Sequence, residues 1–267
     1  RHLLVTNDFP PKVGGIQNYL WELWRRLPPD QFAVMTTPHP KAEQWDRTQP
    51  YKIVRGKNKV LLPHPYLAQR IRDEAAAMEA ELVVLDPALP LGHLGPSLRI
   101  PYAVVLHGAE ITVPGRLPVS RHLLGRVLRK SEFVLSAGGY AAKEGELAAR
   151  TSLTVKEIPP GVDTNRFKPL SSVERKSIRD RYGLHAGPLI LAVSRLVPRK
   201  GFDRLIRAVD LVRADMPDIQ LAIGGSGRDH KRLKNISKKL ELPVAFLGRV
   251  DDSDLSATFG MSDLFVM

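Results

Sequence analysis

The sequence predicts an α/β protein of two parallel-sheet lobes facing each other across a cleft, the second lobe incomplete. Three observations carry this expectation. Short β-rich runs alternate with longer amphipathic stretches along the whole chain. The β-rich runs are continuously apolar, as in parallel strands covered on both faces. The rhythm pauses once, over a polar and basic stretch from Thr164 to about His185, and restarts at Leu189.

Strands are expected at residues 3–6, 32–36, 82–85, 103–106, 133–136 and 155–158, then at 189–193, 219–223, 244–247 and 264–267. Helical spacing puts Ile16, Tyr19, Leu20, Leu23 and Leu27 on one face, and later Leu205, Ile206, Val209 and Val212. The turn-rich Pro159-Pro-Gly-Val-Asp163 precedes the pause, giving Rossmann-like domains at 1–165 and 166–267. Ligands of such sheets sit at the strand C-termini, which makes the cleft the natural site. Arg1 is an unusual start, and residues 264–267 read as a buried strand ending on the last residue, so both ends read as cut.

A hydrophobic fraction of 43% with 25% charged residues fits a soluble globular protein. The absence of cysteine excludes disulfides, cysteine-zinc sites and thiol nucleophiles, and suits a reducing cytoplasm. The most apolar run, 82–98, is interrupted by Asp86, prolines and glycines, so no membrane span is expected, nor a signal peptide. The net charge of +12 calls for an anionic partner or reflects a solvated basic surface. It is spread over both halves, 21 basic against 16 acidic residues through Asn165 and 19 against 12 from Arg166 onward. Few aromatics interleave with the basic clusters, so no nucleic-acid partner is expected.

Several strand-end segments carry candidate chemistry. After the first strand, Gly14 and Gly15 open a helix whose free N–H groups suit an anion, although an ordinary glycine turn reads the same way. In Leu106-His-Gly-Ala-Glu110 a strand end carries His107, suited to hydrogen bonding or proton transfer, and Glu110. The most specific segment is Ser194-Arg-Leu-Val-Pro-Arg-Lys-Gly-Phe202, where Arg195 and Lys200 bracket a β–α turn as a diphosphate requires. Gly225 and Gly227 follow the next strand, and Arg249 and Val250 the one after, as loops lying close to a nucleoside or as plain turns. Asp252-Ser-Asp254 has metal-binding spacing, but Asp252 or Ser253 capping a helix is the better expectation, and no metal site is assigned.

In this order the segments resemble glycosyltransferase family 4, with its GT-B fold, over nearly the whole chain. The opening Val5-Thr-Asn-Asp-Phe-Pro-Pro-Lys-Val-Gly-Gly-Ile-Gln17 is most similar to actinobacterial phosphatidyl-myo-inositol mannosyltransferases. The resemblance implies a retaining, metal-independent hexosyl transfer from GDP-mannose, with no cofactor. It implies an acceptor-side first domain and a donor-binding second one. Arg195 and Lys200 match the diphosphate clamp, Gly15 the phosphate-facing loop, His107 the active-site histidine, and Arg249 and Val250 the base-contacting segment. A glutamate pair that contacts the donor would fall beyond Met267, so the chain as given is expected to lack full activity.

No obvious enzymatic nucleophile is present, so the expected mechanism is same-face attack with the leaving phosphate taking the acceptor's proton. Between Gly115 and Lys130, cations alternate with aliphatics at helical spacing. Arg121, Arg126, Arg129 and Lys130 would meet an anionic membrane while Leu117, Leu124, Val127 and Leu128 enter it or pack on the core. Residues 55–59 would extend that basic face. The expected place is thus the cytoplasmic face of the membrane, with a lipid acceptor. A soluble acceptor, or a non-catalytic nucleotide-sugar module, is the alternative.

Overall fold

The computed structural model describes residues 1–267, the Ala109 side chain excepted, and divides into two units, Arg1–Pro160 and Gly161–Met267. The division falls a few residues before the boundary expected from the turn-rich segment.

In the first unit the chain runs β1 (His2–Thr6), α1 (Gly15–Trp24), β2 (Phe32–Thr36), α2 (Ala42–Asp46), β3 (Lys52–Arg55), α3 (Pro65–Ala77) and β4 (Leu82–Asp86). A 3₁₀ segment (Leu91–Ser97) leads to β5 (Tyr102–Leu106), α4 (Ala109–Arg116), α5 (Pro118–Lys130), β6 (Val134–Ser136), α6 (Gly139–Ala149) and β7 (Val155–Glu157). The strands form one parallel sheet in the order β3-β2-β1-β4-β5-β6-β7. Successive strand residues point to opposite faces. Leu3, Val5, Val83, Leu85, Val104 and Leu106 enter one buried cluster, while Leu4, Val84, Ala103 and Val105 enter the other. Two covered faces are why these strands read as unbroken apolar runs.

The second unit begins with α7 (Ser172–Arg181), held by a capping box between Ser171 and Glu174. It continues β8 (Leu189–Val193), α8 (Phe202–Val212), β9 (Gln220–Gly224), α9 (His230–Lys239), β10 (Val244–Gly248), α10 (Asp252–Gly260) and β11 (Leu264–Phe265). Its parallel sheet has the order β10-β9-β8-β11. Arg179, only 6% exposed, donates to the Met261 and Gly187 carbonyls at 2.8 and 2.9 Å and to Asp263 Oδ2 at 2.7 Å. Asp263 also accepts the Leu189 N–H, so one ion pair ties α7 to the starts of β8 and β11. Burial favours the neutral carboxyl of Asp263, but its bonds to Arg175, the Leu189 amide and Arg179 prevail and hold it below the usual carboxylate range.

The structure departs from the sequence expectations at three places. Strand β3 was not anticipated, because Lys52 and Arg55 flank only two apolar residues on an edge strand. Strand β11 is not buried: it pairs with β8 alone, and Leu264 and Phe265 are exposed. Helix α10 is entered through Asp251, which makes no side-chain cap bond, instead of being capped by Asp252 or Ser253. Asp252 and Asp254 occupy its first turn, and Asp252 pairs with Arg166 at 3.0 Å. Of the two alternatives open for the α5 aliphatics, Leu124, Val127 and Leu128 take the core, because they fall on the face that covers the sheet, while Leu117, just before the helix, leaves its side chain exposed.

Candidate active site

In the first sheet the connections turn from one side to the other between β1 and β4, and such a switch point opens a crevice at the strand ends. Thr6 ends β1, Asp86 ends β4, and His107 follows β5. Thr6 Oγ1 donates to Asp86 Oδ2 at 2.6 Å, and His107 Nε2 lies 2.7 Å from Asp86 Oδ1. Both side chains of the chain Thr6–Asp86–His107 that carry charge are nearly buried, at 1% exposure for Asp86 and 9% for His107. Thr6 Oγ1 also accepts the Asp8 N–H at 2.8 Å, and Gln17 on α1 holds Asp8 Oδ1. Tyr19, from the same helix, sets its ring edge-on to His107 with centroids 5.6 Å apart and donates its hydroxyl to the Ile158 carbonyl.

Burial alone would lower the basicity of His107. The hydrogen bond and charge of Asp86, with Glu110 and Asp8, outweigh it and raise the imidazole above its ordinary value. Burial and the Asp86 charge push Asp8 up in turn, against the opposing pull of Lys12, Gln17 and His107. Glu110 turns back on its own loop, where one carboxylate oxygen accepts the N–H groups of His107 and Gly108. Gly108 itself stands at φ +140°, a backbone conformation glycine tolerates best. At the start of α1 a Cβ on Gly15 would meet nothing within 4 Å, whereas one on Gly14 would strike the Gln17 side chain.

In the second unit the switch point falls between β8 and β11. A cavity of about 500 Å³ lies there, lined among others by Ser194, Arg199, Lys200, Gly201, Arg204 and Val266. Lys200 belongs to this cavity and Arg195 is not among its lining residues. Arg195 stands exposed on the adjoining stretch, between residues fastened to neighbouring loops. The Ser194 N–H donates to Gly224 O at 3.1 Å, and the Leu196 N–H to Ser226 O at 2.9 Å.

The glycines after β9 have a reason the sequence did not disclose. A Cβ on Gly225 would lie 1.9 Å from Ser194 O, and one on Gly227 2.2 Å from Leu196 O, so both make room for protein backbone. Gly225 also donates to Gly248 O at 2.6 Å, so three strand-end loops are joined edge to edge. Val250 Cγ2 rests against Gly224, and Arg249 is exposed beside Asp251 at 3.6 Å.

On α5, Arg126, Arg129 and Lys130 are exposed, but Arg129 donates to the Ala149 carbonyl and Arg121 to that of Leu147, so two of the four cations also brace α6. Arg55 is taken up by Asp46 at 2.6 Å and by the Thr37 and Pro10 carbonyls. Sequence reasoning missed Thr6, Asp8, Tyr19 and Asp86. The available signal was a carboxylate closing the apolar run Leu82-Val-Val-Leu-Asp86, where a buried charge needs a partner.

Comparison with known proteins adds relatives. The family model for glycosyl transferases group 1 matches residues 174–267. The chain is 36% identical over 275 residues to the GDP-mannose-dependent alpha-(1-6)-phosphatidylinositol monomannoside mannosyltransferase of Mycolicibacterium smegmatis, covering 99% of this chain and 72% of that protein. It is 33% identical over 272 residues to the GDP-mannose-dependent monoacylated alpha-(1-6)-phosphatidylinositol monomannoside mannosyltransferase of Corynebacterium glutamicum, covering 99% and 71%. The crystal structure of Anabaena HepE in complex with UDP matches with a TM-score of 0.80 over 99% of this chain and 73% of that one, at 19% identity, a likeness of fold.

Proposed function

Because this chain belongs to the group 1 glycosyltransferases and shares their GT-B architecture, we propose that it moves mannose from GDP-mannose to a phosphatidylinositol-type glycolipid. The carrying observation is the 36% identity, over 99% of the chain, to a relative named for that donor and acceptor.

In this reading the second unit binds the donor. Lys200 meets the diphosphate from the cavity at the β8–β11 switch point, and Arg195 meets it from the neighbouring loop. Negative charge grows on the departing diphosphate as the sugar becomes cation-like, so fixed cations stabilise the transition state more than the ground state. The first unit binds the acceptor, and His107 addresses an oxygen of the transferred sugar. The acceptor attacks on the face the diphosphate leaves, and a phosphate oxygen takes its proton. No metal takes part.

The lipid is met by the loop after β3 in place of the α5 leucines. Asn7 Nδ2 donates to the Leu61 carbonyl at 3.1 Å and its Oδ1 accepts the Leu61 N–H at 2.7 Å, pinning that loop at one residue. On either side Val60 is 50% and Leu62 61% exposed, next to the exposed Lys57 and Lys59. Apolar side chains between cations suit an anionic bilayer surface. Among the described residues no helix is long and apolar enough to cross a membrane.

The test is product formation by the full-length enzyme on vesicles carrying phosphatidylinositol monomannoside, with GDP-mannose, UDP-glucose or ADP-glucose as donor. Mannolipid formed from GDP-mannose alone is the expected result. Transfer to a soluble sugar with the lipid left untouched would overturn the acceptor.

A further inference from the structure

We infer that Asp86 is the positioning residue of the first unit's site: clamped by Thr6 on one oxygen, it fixes the His107 ring by Nε2 and leaves Nδ1 for a ligand oxygen. The geometry carries this. Asp86 Oδ2 takes the Thr6 hydroxyl at 2.6 Å, so Oδ1 alone faces the imidazole, at 2.7 Å. A carboxylate beside a ring nitrogen requires that nitrogen to carry its proton, which selects the Nε2–H form. Tyr19 blocks lateral rotation of the ring with an edge-on contact, and its own hydroxyl is anchored on Ile158. Among the described residues no protein group bonds Nδ1.

Whether Nδ1 accepts or donates depends on a second proton. The charged groups around the ring are Asp86 from β4, Asp8 from the loop after β1, and Glu110 from the first turn of α4, all of which favour the imidazolium. Lys12 enters only through Asp8, which it helps to keep ionised, and its ammonium is bonded to the Asn7 carbonyl at 2.8 Å. In the imidazolium that these groups favour, Nδ1 is a donor. Its ligand is an oxygen acceptor, a sugar hydroxyl or a phosphate oxygen of the bound substrates. The identity of that ligand rests on the function proposed above, and the state of the ring does not.

Two measurements on the full-length enzyme separate the two. Nitrogen-15 histidine NMR without substrate should show His107 keeping its proton on Nε2 and titrating above the ordinary histidine value. In Asp86→Asn, with the fold checked by circular dichroism, its titration should fall by about one pKa unit or more. Thr6→Val should lower it by less, and Thr6→Ser should restore it. A wild-type His107 that titrates below the ordinary histidine value, or whose neutral form carries its proton on Nδ1, overturns the proposal without any variant, as does an unchanged titration in a folded Asp86→Asn. In activity, Asp86→Asn should move the alkaline limb of the kcat/KM profile to lower pH. A moved NMR titration with an unmoved profile would keep Asp86 as the ring's partner and overturn its part in the reaction.

Discussion

The carbonyl oxygen of Ser194 fills the space in which a side chain on Gly225 would begin, 1.9 Å from the ideal Cβ position. Gly225 also stands at φ +128°, where other residues are strained. Gly225→Ala should therefore cost about 2–3 kcal/mol of stability, read as a lower urea midpoint. It should also weaken nucleotide-sugar binding by moving the 194–196 stretch. Gly15→Ala is the contrast. A Cβ there meets nothing within 4 Å, so stability should stay within about 0.5 kcal/mol while the KM for the donor rises. An unchanged KM would remove Gly15 from the phosphate-facing loop.

The pair Arg195 and Lys200 should separate donor chemistry from acceptor binding. Either changed to Ala should lower kcat/KM by about 2–4 kcal/mol of transition-state stabilisation, roughly thirty- to a thousand-fold. Vesicle binding should be unaffected. The cavity favours the larger loss for Lys200, which lines it, over Arg195, which does not. Near-normal turnover in both variants would dismiss the clamp.

Most of the fold was legible because each sheet is covered on both sides, so β1, β4, β5, β8 and β9 announce themselves as apolar runs. What escaped depends on contacts distant in sequence. Strand β3 takes its place by pairing with β2, since its own four residues carry little signal. The link between Thr6 and Asp86 spans eighty positions and appears only when β1 and β4 lie side by side. The same holds for Gly225 and Gly227, whose spacing suggests a ligand loop and whose surroundings are protein backbone. On α5 the spacing allowed the aliphatic face to meet either a bilayer or the core, and only the packed structure decides for the core.

The pH dependence of stability follows from His107. Its folded value is raised, so its contribution is fully present below the unfolded histidine value and is lost as pH rises through the folded one. The gap in urea midpoint between wild type and Asp86→Asn should accordingly be wider near pH 6 than near pH 9. A gap that is constant across that window would mean that His107 and Asp86 are not coupled by charge. Asp263 works oppositely, because its folded value is depressed. Its contribution is present above the unfolded aspartate value and disappears as pH falls through the folded one, modestly so because the side chain is 44% exposed.

Turnover should survive exhaustive EDTA treatment. Asp252 is engaged with Arg166 at 3.0 Å, and it and Asp254 lie in the first turn of α10, where carboxylates interact favourably with the helix N-terminus. Activity that vanishes with EDTA and returns with Mg²⁺ or Mn²⁺, together with a similar loss in Asp254→Ala, would show that a divalent cation is needed after all.

The proposed membrane attachment through the loop after β3 can be tested against its rival. If the loop after β3 meets the bilayer, Lys57 and Lys59 supply the charge while Val60 and Leu62 supply the apolar contact. Each cation near an anionic surface is worth about 1 kcal/mol, so Lys57→Glu with Lys59→Glu should largely release the protein from phosphatidylserine vesicles. Val60→Ser with Leu62→Ser should weaken attachment even at low salt, since it removes the contact that salt does not screen. Leu61 is left unchanged in both variants, because its bonds to Asn7 hold the loop in place. The rival surface is α5, whose Arg126, Arg129 and Lys130 are exposed above a leucine face spent on the core. Reversing those three charges should reduce binding only in proportion to charge, with an effect that fades as salt is raised. Release by the α5 variant, with the loop variants still bound, would return the membrane face to α5. Wild-type enzyme that ignores anionic vesicles at low salt would make a soluble acceptor the better reading.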